Sequence, residues 1–106
     1  MIKTQYAEFN VGHIVRHTLL GYRGVVVDID PVFQGNEIWY EITSIDQPTK
    51  NQPWYHILID GLEHWAYAAQ SNLESDALKY PIDHPEIEYF FEDFNEGIYI
   101  AARTTN

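Results

Sequence analysis

The sequence predicts a mainly β fold: five short strands bent into a small barrel, one short amphipathic helix near the C-terminus, and a long excursion after the second strand. Three observations predict it. Gly24-Val25-Val26-Val27-Asp28-Ile29-Asp30 alternates side chains between two faces at the period of a strand. Asp60-Gly61 stands between two β-like runs, among the strongest local signals for a hairpin. A chain of 106 residues without an internal repeat leaves room for one domain, residues 1–106, and short strands hide their edges best by closing on one another.

Taken in order, residues 1–8 are expected to form a flexible N-terminal arm, and they lack the apolar stretch of a signal peptide. Gly12-His13-Ile14-Val15-Arg16-His17 reads as the first strand, and Gly21-Tyr22-Arg23-Gly24 as the turn after it. In the second strand Val25, Val27 and Ile29 share one face, and Val26, Asp28 and Asp30 the other. Pro31 ends it, because proline cannot donate to a sheet ladder. Residues 32–53 form the excursion, with Glu37–Ile42 as a helical turn between loop-like segments. A two-residue Asp60-Gly61 loop pairs Leu58 with Glu63, His56 with Trp65 and Trp54 with Tyr67; a longer, bulged loop would change that register. Pro85–Phe94 predicts a helix, because Ile87, Phe90, Phe91 and Phe94 fall at i, i+3, i+4 and i+7. Asp83 or His84 suits its cap, Pro85 its first position and Gly97 its exit, after which Gly97–Ala102 is the closing strand.

Composition removes several functions. Sixteen acidic residues against six basic give a net charge of −10, which opposes bulk attraction to nucleic acid or an anionic membrane. Lys3, Arg16 and Arg23 balance Glu8, Asp28 and Asp30, so the N-terminal third is the only place for a polyanion to meet the chain. No cysteine is present, which excludes disulfides, thiolate metal sites and a cysteine nucleophile. No apolar run approaches the ~20 residues of a bilayer span, and the expected class is a soluble, cytoplasmic, small acidic domain.

The chemistry-bearing residues are few. Five histidines invite a metal, but neither His13 with His17 nor His56 with His64 has a recognised ligand spacing, so no metal or other cofactor is expected. Asp28 and Asp30, about 6.6–7 Å apart along one strand face, would suit acid–base geometry. A barrel this small offers no deep cleft to bury one of them, and they read as a solvated face. No nucleophile elbow, P-loop or dinucleotide fingerprint occurs, so no enzyme is expected. Trp54, His56, Trp65 and Tyr67 form an aromatic ladder on the hairpin. In a small barrel one face fills the interior and the other is covered by the helix, the excursion or a partner; a protein partner suits it, since Trp and Tyr dominate interface hot spots. Stacking of nucleic-acid bases there is opposed by the charge. Arg16, His17, Tyr22 and Arg23 cluster cation and aromatic in a way that suits a few phosphates or a guanine edge. Alternatively, the two arginines neutralise Asp28 and Asp30.

Arg16-His17-Thr18-Leu19-Leu20-Gly21-Tyr22-Arg23-Gly24-Val25-Val26-Val27-Asp28-Ile29-Asp30-Pro31 resembles the opening motif of the heat-shock protein HspQ family, also called the YccV-like or hemimethylated-DNA-binding domain. Gln52–Asp60, Tyr67–Leu73 and Ile82–Ile87 match further on, in order, and the resemblance covers about residues 9–106. It implies an SH3-like β-barrel in the bacterial cytoplasm, self-associating as a trimer, with no catalysis. It implies binding of hemimethylated DNA, tied to replication initiation and gene expression, for which the cation–aromatic cluster of Arg16, His17, Tyr22 and Arg23 is the candidate site. It also implies a heat-stress role on the Lon protease, as substrate and as enhancer of client degradation. For that partner the candidate surface is Trp54, His56, Trp65 and Tyr67, with Arg103 and Asn106 in the Ala101–Asn106 tail, because proteases engage loosely ordered ends. The excursion with Trp39 and Tyr40 stands outside the matching blocks.

Overall fold

The computed structural model describes residues 6–43 and 46–102. β-branched, alternating runs make the first two strands, β1 (Ile14–His17) and β2 (Arg23–Asp30). Helix α1 (Glu37–Thr43) lies in the excursion, as the sequence predicts. Strands β3 (Trp54–Ile59), β4 (Trp65–Ala69) and β5 (Leu73–Ser75) follow, with a 3-10 turn over Gln70–Asn72. The last described elements are α2 (Ile87–Phe90), β6 (Phe91–Asn95) and β7 (Ile98–Ala101).

Five strands form one antiparallel sheet in the order β4-β3-β2-β1-β5, and β6 pairs with β7 in a separate hairpin. The pairing is that of an open sheet, with β4 and β5 at its edges. It cannot be flat. Edge strands four places apart would lie about 19 Å from one another at ~4.8 Å per strand, while the chain linking β4 to β5 through the 3-10 turn reaches at most ~14 Å. The sheet therefore curls its edges toward each other.

Each face of the curled sheet has its own core. Val15, Val26, Tyr55, Ile57, Ala68 and Leu73 pack with Phe9 on the concave side. Ile14, Val25, Val27 and Leu58 pack on the other side against Ile82, Phe91 and Tyr99. A bulge at Val27 links the two, because the register slips between Val26 and Asp28. After it Ile29 packs with the Val26 cluster instead of the Val25 and Val27 face that strict alternation predicts.

Three local expectations are overturned. The Asp60-Gly61 loop is longer than two residues: Leu58 lies opposite Trp65, His56 opposite Tyr67 and Trp54 opposite Ala69. Backbone bonds from Asp60 N to Arg23 O (2.9 Å) and from Gly61 N to Asp83 O (2.8 Å) draw the two residues away from a tight turn. The slip is by two positions, so the same side chains still share a face. The predicted helix stops at Phe90, since Phe91 to Asn95 pairs with Ile98 to Ala101 across Glu96 (φ 51°) and Gly97 (φ 83°). Two successive positive φ values are what a type I′ hairpin turn requires, and Gly97 takes that role instead of ending a helix. The fifth strand of the main sheet is consequently Leu73–Ser75, while the predicted closing strand belongs to the second hairpin.

Candidate functional site

The bulge in β2 decides which residues meet at the site. By returning Asp28 and Asp30 to the face of Trp54 and His56, it sets Asp28 opposite His56 and Asp30 opposite Trp54. The Asp30 carboxylate accepts from Tyr67 OH at 2.7 Å and from His56 Nε2 at 3.0 Å. Tyr67 OH in turn accepts from Gln34 N at 3.0 Å. Burial, and then the bond to Asp30, hold the Tyr67 phenol well above its usual range. The His56 and Tyr67 rings lie 4.6 Å apart, and those of Trp54 and Tyr67 5.2 Å apart.

The excursion folds over this face. Asn36 caps α1 by accepting from Ile38 N (2.8 Å) and Trp39 N (3.2 Å). The cap directs Trp39 to 5.8 Å from Tyr67, while Phe33 sits edge-on to Trp54 at 4.9 Å. Tyr40 OH donates to Pro48 O at 2.7 Å, Lys50 lies 4.5 Å over the Tyr40 ring, and Lys50 also bonds Glu37. Beside these rings a pocket of about 440 Å³ opens, lined among others by Tyr22, Trp39, Trp54, His56 and Tyr67. Trp54 is 1% exposed, and its indole Nε1 has no hydrogen-bond partner among the described residues.

Trp54, His56 and Tyr67 are thus brought together. Trp65 lies further along β4, with its Nε1 donating to Glu86 at 2.6 Å and its ring against Phe90 at 5.3 Å. Arg103 and Asn106 lie outside the described residues. Trp54 and Tyr67 are covered by the excursion through Phe33 and Trp39, and Trp65 by Phe90 of α2. Phe33, Trp39 and Tyr40 complete the site unforeseen; three aromatics inside a loop-like segment were the available signal.

The cation cluster is dispersed into ion pairs. Arg16 meets Glu74 at 3.0 Å on the surface. Arg23 meets Asp60 at 3.0 Å and Asp76 at 3.2 Å, and also bonds the carbonyls of Tyr80 and Pro81. Neither arginine neutralises Asp28 or Asp30. His17 is buried, with Nδ1 accepting from Leu19 N (3.2 Å) and Leu20 N (3.0 Å). Tyr22 packs 5.1 Å from His17 and is pushed up to about 12 by burial.

Among the described residues one group has metal-ligating atoms converging within 4.8 Å: Asp28, Asp30 and His56. Asp30 already accepts from His56 and Tyr67, so the arrangement serves to fix two rings at the pocket wall. Its chemistry is that of a rigid aromatic pocket wall with one buried, unmet donor, the Trp54 indole N–H. No described helix is long and apolar enough to cross a membrane. A protein-family model described as "Hemimethylated DNA-binding protein YccV like" matches residues 7–98.

Proposed function

The chain belongs to the YccV-like family, and from that premise we propose that it is a non-enzymatic binding domain that recognises hemimethylated DNA. The family match carries the reading: it takes in the whole five-stranded sheet and every residue lining the pocket. The curl forced on the sheet supports an SH3-like barrel. Pocket-wall groups tied to one another, instead of poised beside a nucleophile, support a role in binding.

Recognition by so acidic a chain has a physical signature. Arg16 and Arg23 are engaged by carboxylates, so few phosphates can be neutralised and affinity falls gently with salt. Fluorescence anisotropy against unmethylated, hemimethylated and fully methylated duplexes across a salt series tests this. The expected result is tightest binding to the hemimethylated duplex, with a slope equivalent to about one or two phosphates. Equal, weak binding of all three at physiological salt ends the reading.

Charge favours a second reading, a protein partner. The net charge is −10, and α1 presents Ile38 at 66% and Ile42 at 78% exposure. In the HspQ subfamily this role is a heat-stress one in the cytoplasm, exerted by a self-associated, trimeric species on the Lon protease. Adding the chain to Lon and a model client is expected to shorten the client's half-life. An unchanged half-life removes this reading and leaves the first standing.

A further inference from the structure

Strand β4 is an edge of the main sheet, so one side of its backbone has no neighbouring strand. The register says which groups lie there. Gln70 N donates to Pro53 O at 2.9 Å and Ile59 N to His64 O at 3.1 Å, and the ladder between them runs without a slip. Antiparallel pairs alternate, so Ala66 and Ala68 also bond toward β3, while the N–H and C=O of Trp65 and Tyr67 point outward. No group among the described residues bonds them.

The pocket of about 440 Å³ runs beside these groups. All five β4 residues line it, although successive side chains of a strand point to opposite faces. A cavity that touches both sets lies along the open edge. Tyr22 lines it too, and Tyr22 and Ala66 both pack against the concave core, which makes that side apolar. No Lys or Arg is among its described lining residues. Carboxylates stand at both ends of β4 instead. Glu86 accepts from Trp65 Nε1 at 2.6 Å, and Asp46 accepts at 3.3 Å from Nδ2 of Asn72, just past Ala69.

We infer that this edge groove receives an extended segment of a partner protein, apolar in its middle and carrying Lys or Arg at each end. The inference rests on the protein-partner reading above and supplies the partner's chemistry. The segment's backbone bonds Trp65 and Tyr67 as an added strand, its alternate side chains fill the two sides of the groove, and its cations meet Glu86 and Asp46. A second copy of a chain with net charge −10 would bring carboxylates to carboxylates at this edge.

Fluorescein-labelled octapeptides, with two Lys at each end and Val, Ile or Tyr between them, test the inference on the intact chain. In the free chain the Trp65 and Tyr67 amides are expected to exchange with solvent at least tenfold faster than those of Ala66 and Ala68, read by NMR. A bound peptide is expected to slow the first pair at least tenfold. Methylating the peptide's backbone nitrogens at one set of alternate residues is expected to weaken binding at least tenfold, and at the other set to leave it unchanged. Glu in place of its Lys abolishes binding, and Glu86→Gln with Asp46→Asn weakens it at least threefold at unchanged thermal unfolding. Failure of every peptide to bind, equal binding of both methylated forms, or binding that leaves the Trp65 and Tyr67 amides unprotected overturns the inference. Protection in the free chain that grows with protein concentration assigns the edge to a second copy and overturns it as well. A Lon client whose half-life still shortens when no peptide binds leaves the protein-partner reading standing; an unchanged half-life with no peptide bound ends both.

Discussion

His17 shows how a residue that looks like a ligand-binding group becomes structural. Its ring is buried against Tyr22 and accepts two backbone N–H groups, an arrangement open only to unprotonated Nδ1. Desolvation lowers its pKa, and the carboxylate of Asp46 opposes that shift less strongly. In the unfolded chain the same imidazole takes up a proton near pH 6.5, while in the folded chain it resists doing so. The unfolded state then binds more protons, so this residue's contribution to stability falls as pH drops below that point. Urea unfolding of the wild type and His17→Gln checks the sign. The stability difference between them is expected to move against the wild type from pH 7.5 to 5.5, and a constant difference would show that the ring protonates freely when folded.

Two elements redirect the chain where local pattern points elsewhere. Six alternating residues in β2 look like an uninterrupted strand, yet the bulge at Val27 sends Ile29 into one core and Asp28 and Asp30 to the side of Trp54 and His56. In Pro85–Phe94 a helical stripe is legible, and its apolar residues do face the core, with Phe91 buried and Ile87, Phe90 and Phe94 packed against that cluster. Spacing alone does not separate a helix from a strand when the aromatic residues suit both. The β6–β7 hairpin is seated on Gly12, which donates from its N to Val26 O at 2.8 Å and accepts at its O from Tyr99 N at 3.0 Å. Gly12 holds φ +95°, and a Cβ there would stand 2.1 Å from Tyr99 O. Gly12→Ala is therefore expected to cost at least about 1 kcal/mol. The seat also holds Tyr99, whose OH accepts from Ile82 N at 2.8 Å, so the near-ultraviolet dichroism of the tyrosine should weaken. Unaltered stability and dichroism would mean that the hairpin is not anchored there.

At the scale of the molecule, a net charge of −10 on a small domain places the folded state under self-repulsion. Screening relieves it, so Tm is expected to rise between 10 and 150 mM salt, where the Debye length falls from about 25–30 Å to about 8 Å. A Tm that falls with salt would mean that the Arg23 pairs with Asp60 and Asp76 outweigh the repulsion. Composition and alternation by themselves determined the mainly β class, the excess acid and the aromatic hairpin, because burial of apolar side chains imposes its period on any strand. A long, unusual motif around Arg16–Pro31 also carried the family. Only the tertiary structure decided that Arg16 and Arg23 are spent on Glu74, Asp60 and Asp76, that the excursion covers Trp54, and that Asp30, His56 and Tyr67 converge. Those outcomes depend on a one-residue slip in a ladder and on partners 21 to 58 positions away in sequence, distances at which no local preference acts.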